Sequence, residues 1–315
     1  LGLNFFKNKD YKNSEKYFER LNKISGYNLY FEDFIGNVLI AWNRASQGKK
    51  KESFDILEKI PKPYHHLKKT QKGFLKCYFD MKDTQIFFEK IIQSRDYNFS
   101  RYNFFLANYF LFNDKEKAAI EIIKNARENN NSNLILEETE TFLKEGNNEK
   151  IKNLFNCKNP NDSLGEFFYV IANLYSVEKN YRLSNFYLKI SEFLNKKFLP
   201  NKALLAENYF YQKKYALSKK TYEELQSIGP AYSWYASKSI ATILIEEKGK
   251  EYSIKNLEKD FNYISNPNFE HYYEIANFYK DNKYYEKSIK YYSLALEKIG
   301  YDHFLVSKIL DRRGT

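Results

Sequence analysis

The sequence predicts an all-α fold, an α-solenoid of stacked antiparallel helix pairs. The main observation is that small residues return inside apolar-periodic segments at intervals of 34 or 35 residues. A serine set and an alanine set, twelve residues apart, share this interval: Ser184, Ser218, Ser253 and Ser288, and Ala172, Ala206, Ala241 and Ala276. Apolar alternation with period two never persists, so no strand is predicted.

The two small-residue sets indicate where helices approach each other. Two helices cross near contact distance only where one side chain is small, so an alanine facing a serine suits an antiparallel hairpin. Internal periodicity of this length is typical of stacked repeats, in which contacts run only between neighbours. We expect each serine hydroxyl to bond back to a carbonyl one turn earlier in its own helix.

The residues around these positions carry a family resemblance. Two stretches fit best: Leu205, Ala206, Tyr209, Tyr215, Ser218, Tyr222, Leu225 and Pro230, and then Tyr272, Ile275, Ala276, Tyr279, Tyr285, Ser288, Tyr292 and Ala295. This pattern resembles the tetratricopeptide repeat (TPR) family, with Ser in place of the family's second-helix Ala. The resemblance implies a right-handed superhelix whose concave groove is lined by first-helix residues, and a bacterial protein of the kind that often serves cell-envelope assembly or secretion.

The N-terminal repeats are more degenerate than the C-terminal ones. The first matches from the middle of its first helix, the second covers residues 30–61, the third follows residue 62, and the fourth covers residues 103–129. The spacing from Ala41 to Ala107 and from Ala107 to Ala172 is close to two repeats each, which leaves room for a fifth between residues 134 and 155. Four strong repeats follow from about residue 163, so we expect about eight helix pairs.

The polar stretch at residues 158–162, Lys-Asn-Pro-Asn-Asp, predicts a flexible joint between two subarrays. We assign residues 1–157 to a degenerate N-terminal TPR-like subarray and residues 163–315 to a C-terminal TPR subarray with a truncated last repeat. Both ends fall inside a repeat, which predicts that the chain is a fragment of a longer protein. A targeting segment would then lie outside it.

Composition favours a large aromatic core and leaves the charge ambiguous. The chain is 43% hydrophobic and 18% aromatic, with a formal net charge of +11 carried mainly by lysine. A genome rich in A and T explains this basicity, and attraction to an acidic partner, a nucleic acid or an anionic membrane is the alternative. Cys77 and Cys157 lie far apart without a CxxC motif, so neither a zinc site nor a disulfide framework is indicated.

The sequence offers no pattern of catalytic, cofactor-binding or metal-ligating residues. Its four histidines lack a spaced Cys, Asp or Glu partner, and there is no glycine-rich phosphate loop. Glu270 beside His271 is the nearest approach to an acid/base pair, and we interpret both as surface residues. We therefore predict no enzyme activity, no cofactor and no metal.

Candidate binding residues lie on first helices. An aromatic residue and an asparagine recur four apart, on one helical face, in Phe104 with Asn108, Tyr169 with Asn173, and Tyr273 with Asn277. An asparagine amide bonds both polar groups of a peptide backbone while the ring supplies apolar area, so these pairs predict a ladder for a peptide or helix. Trp42 is a further candidate anchor. The alternatives are ordinary repeat positions for the pairs and burial for Trp42.

The functional prediction is a non-catalytic protein–protein interaction scaffold that holds a peptide or protein partner in the concave groove. The alternative is a regulatory or targeting region of a larger enzyme such as a glycosyltransferase. Nucleic-acid binding by the lysine-rich surface is a third hypothesis, which predicts affinity that falls steeply with salt. The partner's identity, the oligomeric state and the compartment, cytoplasmic or periplasmic, stay open.

Overall fold

The structure, a computed structural model, describes residues 1–21, 29–94, 99–129, 133–300, 303 and 305–314. These residues form α-helices and a 3-10 helix at Lys62–Tyr64, with no β-strand among them, so the all-α prediction is confirmed. The helices in order are α1 (Gly2–Lys7), α2 (Tyr11–Leu21), α3 (Leu29–Ser46), α4 (Lys50–Glu58), α5 (His65–Tyr78), α6 (Thr84–Ile92), α7 (Tyr102–Phe112), α8 (Glu116–Asn129), α9 (Leu134–Lys144), α10 (Asn148–Leu154), α11 (Pro160–Val177), α12 (Tyr181–Leu194), α13 (Pro200–Tyr211), α14 (Tyr215–Leu225), α15 (Pro230–Lys248), α16 (Lys250–Asn262), α17 (Phe269–Asp281), α18 (Tyr285–Lys298) and α19 (Leu305–Gly314).

Consecutive helices pair as hairpins, and the turn of each pair contains a residue with positive φ. The nine residues have φ between 50° and 86°: Lys9, Gly48, Asp80, Asp114, Gly146, Lys179, Lys213, Gly249 and Lys283. In most of these turns the N–H of the following residue donates to the carbonyl five residues earlier, as from Asn180 to Tyr175 at 2.8 Å. A left-handed residue therefore ends the first helix of each described pair and reverses the chain.

The small-residue sets lie where helices pack closely, as predicted. All four alanines and all four serines are buried. The direction of the serine hydroxyl differs from the prediction, however. Ser218 Oγ donates to the Ala206 carbonyl at 2.8 Å, and Ser253 Oγ donates to the Ala241 carbonyl at 2.6 Å. The own-helix bond is wrong at these two positions because the facing helix lies close enough to offer its carbonyl instead.

The chain divides into two compact units, residues 1–232 and residues 233–315, and the division falls within α15. The predicted division at residues 158–162 lies inside the first unit. There Asn159 caps α11 by accepting the Asn161 N–H, and the Asn156 N–H donates to Asp162 Oδ2 at 2.8 Å. Flexibility of this stretch stays a prediction.

Helices far apart in sequence meet within the first unit. Besides α12, α11 packs on α3 and α5. The rings of Phe34 in α3 and Phe167 in α11 lie edge to face with centroids 5.4 Å apart. At the N-terminus, the Lys7 ammonium lies over the Phe193 ring, 4.4 Å from its centroid. The expectation that only neighbouring repeats touch is therefore wrong for this unit.

An aromatic core fills the space that these contacts enclose. The Phe74 ring of α5 lies 4.9 Å from the Phe105 ring of α7, and Phe155, just after α10, lies 4.6 Å from Phe105. All three side chains are buried. Such edge-to-face pairs add attraction beyond the burial of their area. The Phe74 and Phe155 rings also lie 5.3 Å apart, so side chains of non-adjacent repeats form one core in the first unit.

A disulfide joins two of these distant segments. Cys77 of α5 and Cys157, just before α11, are bonded, with Cα atoms 5.9 Å apart and a sequence separation of 80. The neighbouring Lys158 forms an ion pair with Asp80, and its Nζ donates to the Tyr78 carbonyl at 3.0 Å. The expectation that no disulfide is indicated is wrong, because the pairing depends on the way α11 packs back on α5.

The second unit has a core of its own. Trp234 of α15 lies 5.6 Å from Phe261 of α16, and its Nε1 donates to Glu274 Oε2 of α17 at 2.7 Å. The terminal helix α19 packs on α18. No described helix of either unit has the length and apolar character that a membrane crossing requires.

Candidate binding surfaces

Three of the predicted groove residues are buried in the first unit. The Trp42 side chain of α3 is fully buried, and its Nε1 donates to Gln71 Oε1 at 2.8 Å. Phe104 and Asn108 of α7 are also buried, and Asn108 Nδ2 donates to the Ile151 carbonyl at 3.1 Å. The expectation that these side chains line an accessible groove is wrong.

The Tyr169 and Asn173 pair of α11 remains partly exposed. The Tyr169 ring lies 5.5 Å from Phe198, and the Arg101 guanidinium lies 4.6 Å above it. Within the described part of the chain, the Asn173 side chain makes no hydrogen bond. Asn173 is therefore able to bond a ligand without losing an internal contact.

The Tyr273 and Asn277 pair of α17 is partly exposed in the second unit. The Tyr273 and Tyr292 rings lie 5.9 Å apart. Asn277 Oδ1 accepts hydrogen bonds from the Tyr292 hydroxyl at 2.6 Å and from Arg312 Nη1 at 2.7 Å. The asparagine carbonyl is thus already bonded within the unit, so a partner at this position meets the amide nitrogen.

Sequence reasoning missed an exposed apolar surface beside Asn173. Leu174 and Val177 of α11 are 48% and 75% exposed, and Tyr211 of α13 is 61% exposed. The rings of Tyr181 and Tyr211 stack with centroids 5.7 Å apart, which brings Tyr211 to the end of α11. We call Asn173, Leu174, Val177 and Tyr211 the α11–α13 surface. Its signal in the sequence is that Val177 and Tyr211 occupy equivalent positions of successive repeats.

A buried asparagine fixes the helices under this surface. Asn208 of α13 is fully buried, and its Oδ1 accepts a hydrogen bond from Ser176 Oγ of α11 at 2.7 Å. Its Nδ2 donates to Ser184 Oγ of α12 at 2.7 Å. A satisfied buried polar network specifies one arrangement, because any other leaves its groups unpaired. The α11–α13 surface is therefore held in place before any partner binds.

Buried charges of the first unit tie helices together. Arg101 Nη2 lies 2.5 Å from Glu166 Oε1, and the Tyr102 hydroxyl donates to the same oxygen at 3.3 Å. Glu138 of α9 accepts the Ala231 N–H at 2.9 Å at the start of α15. Burial raises the pKa of both glutamates, while Arg101 opposes this rise at Glu166. Both side chains are buried, and within the first unit Glu166 joins α7 to α11 while Glu138 joins α9 to residues 231–232.

His271 has a structural role at the start of α17. Its N–H donates to Asn268 Oδ1 at 3.0 Å, and its ring accepts the Asn268 N–H in a capping box. Burial lowers the pKa of His271. Within the described residues, no cluster of three His, Cys, Asp or Glu side chains is arranged to hold a metal ion.

Comparisons with known proteins return helical-repeat structures. No protein-family model matches the chain, and no curated protein matches it by sequence. A tetratricopeptide repeat protein from Parabacteroides merdae is 16% identical, over 78% of this chain and 98% of that one, with a TM-score of 0.37. Cut9–Hcn1 of the APC/C is 13% identical, over 95% and 66%, with a TM-score of 0.37. The P58(IPK) TPR domain is 16% identical, over 100% and 94%, with a TM-score of 0.26. These similarities identify neither a partner nor an activity for this chain.

Proposed function

We propose that the chain is a non-catalytic protein–protein interaction scaffold whose partner, a peptide or protein, binds the α11–α13 surface. The supporting observation is that three large side chains, Leu174, Val177 and Tyr211, are about half exposed or more beside the unbonded amide of Asn173. Single exposed apolar residues are ordinary, whereas a cluster of them is typical of interaction sites.

The chemistry of the surface suits a peptide backbone. An asparagine amide offers a donor and an acceptor, so it bonds both polar groups of an extended peptide, and the apolar neighbours supply area to bury. The Asn208 network and the Tyr181–Tyr211 stack hold this surface rigid. A surface that is ordered in advance loses less entropy on binding.

The proposal revises one part of the predicted ladder and keeps another. Phe104, Asn108 and Trp42 act in the core of the first unit, because their side chains are buried. Tyr273 and Asn277 of the second unit remain a separate candidate binding pair, with the amide nitrogen of Asn277 as the available donor.

The test is quantitative affinity capture from native lysate with the full-length protein. The variant V177D/Y211D places two carboxylates on the α11–α13 surface, and N173A removes its amide. The matched control is I86D/I120D, since Ile86 and Ile120 are 53% and 44% exposed on other helices of the same unit.

We expect proteins captured by the wild type to fall about tenfold with V177D/Y211D, a loss of about 1.4 kcal/mol. The same proteins should persist with I86D/I120D, and all variants should keep the wild-type circular dichroism spectrum. Equal recovery with V177D/Y211D and I86D/I120D would contradict the proposed surface.

A further inference from the structure

A polar pocket opens in the first unit where α1, α10, α11 and α12 come together. Its volume is about 480 Å³. The charged residues that line it are four lysines and two carboxylates: Lys7, Lys152, Lys196, Lys197, Glu149 and Asp162. Asparagine side chains supply much of the remaining lining. Its chemistry thus differs from that of the apolar α11–α13 surface.

Positive charge exceeds negative charge in this pocket. Lys152 Nζ pairs with Glu149 Oε1 at 3.2 Å. Lys7 Nζ donates to the neutral carbonyl of Phe193, which leaves its charge uncompensated. Neither Lys196 nor Lys197 makes a side-chain hydrogen bond or an ion pair with any described residue. Three ammonium groups therefore face one remaining carboxylate, that of Asp162.

The walls of the pocket are fixed by hydrogen bonds. Asp162 accepts the Asn156 N–H and the Asn159 Nδ2, each at 2.8 Å. Asn195 Nδ2 donates to the Leu154 carbonyl at 3.0 Å, and its Oδ1 accepts the Lys197 N–H at 2.9 Å. These contacts hold the start of α11 and the backbone of Lys197 in one arrangement, so the pocket exists before a ligand arrives.

We propose that this pocket binds a small polar ligand that carries a carboxylate or phosphate group. Its volume lies within the range of small-molecule sites, about 300–1,000 Å³. The uncompensated ammonium groups attract an anion, and the positive end of the α11 dipole adds to this attraction. The surrounding amides bond polar groups of the same ligand.

The pocket and the α11–α13 surface lie at opposite ends of one helix. Asp162 and Val177 are separated by roughly 22 Å along α11, at 1.5 Å per residue. Ligand binding in the pocket is therefore a property distinct from partner binding, and each is measured in the absence of the other.

The test is isothermal titration of the purified chain with citrate and, separately, with inorganic phosphate, with glucose as the uncharged control. We expect citrate or phosphate to bind and glucose not to bind. K196Q/K197Q should weaken binding about tenfold. The matched control K219Q/K220Q, an adjacent lysine pair on α14, should leave the affinity unchanged.

A third variant should strengthen anion binding, whereas K196Q/K197Q weakens it. D162N removes the negative charge that faces the ligand and keeps one oxygen to accept the Asn156 N–H, so it should tighten binding of the same anion. Binding of citrate alone assigns an organic carboxylate, and binding of phosphate alone assigns a phosphorylated ligand. The proposal is overturned if neither anion binds at millimolar concentration. It is also overturned if K219Q/K220Q weakens binding as much as K196Q/K197Q, because attraction to the lysine-rich surface as a whole would then explain the signal.

Discussion

Loss of the Cys77–Cys157 disulfide should destabilise the first unit substantially. The perturbation is the double variant C77A/C157A, which is suited to the site because both cysteines are buried among apolar side chains. The bond closes a loop with a sequence separation of 80 residues. In the chain-entropy treatment, a loop of that length restricts the unfolded chain by about 4.5 kcal/mol at 25 °C. We therefore expect a loss of about 3 to 4.5 kcal/mol.

Urea denaturation with and without a reductant measures this loss. Reduction should lower the unfolding free energy of the wild type toward that of C77A/C157A, while the double variant should not respond to reductant. Thiol titration in urea should find no free thiol in protein purified under oxidising conditions. Two free thiols there, or equal stability with and without reductant, would refute the argument. Persistence of the bond in cells would favour an oxidising compartment.

Three further predictions concern single residues. Burial raises the pKa of Asp162 from 3.8 to about 6. The folded state therefore binds the proton of Asp162 more tightly than the unfolded state does. This stabilisation is fully present below pH 3.8 and is lost as the pH rises through 6. D162N should remove about 3 kcal/mol of the difference in unfolding free energy between pH 3.8 and pH 7.5, measured by urea denaturation. The same pH dependence in the wild type and in D162N would contradict this. Ser218→Ala should cost about 1 kcal/mol through loss of the bond to the Ala206 carbonyl, and Ser218→Leu about 3 kcal/mol through overpacking, both measured by urea denaturation. Equal costs would mean that the helices are not in close contact. Lys213→Gly should raise stability by about 0.5 kcal/mol because the backbone φ is 59°, whereas Lys219→Gly inside α14 should lower it by about 1 kcal/mol in thermal unfolding. A loss at Lys213 would contradict the left-handed turn.

The hairpins were predictable because their signals are local. The Ala206 and Ser218 pair, with its tyrosine and leucine neighbours, specifies two helices and their contact within a few dozen residues. The left-handed turns are local as well, but the residue type does not mark them. Lys179 and Lys213 occupy equivalent left-handed positions, but lysine is not a residue that sequence rules associate with positive φ.

The packing of α11 on α3 and α5 was not predictable from these patterns. In stacked repeats, small rotations between successive hairpins accumulate, and no short stretch of sequence encodes their sum. Pairing of Cys77 with Cys157 and the burial of Trp42 follow from this packing. One sequence signal did indicate burial. Helix α7 is apolar on nearly every face, which is typical of a buried helix. That signal predicts the burial of Phe104.

The claim that helices of non-adjacent repeats meet in the first unit is tested most directly by a double-mutant cycle between Phe34 of α3 and Phe167 of α11. The rings lie 5.4 Å apart although the residues are distant in sequence. Unfolding free energies of F34A, F167A and the double variant give the coupling. We predict a coupling of about 1 kcal/mol, the usual size for an edge-to-face pair. A coupling of zero would mean that the Phe34 and Phe167 rings do not meet, which would contradict the packing of α11 on α3.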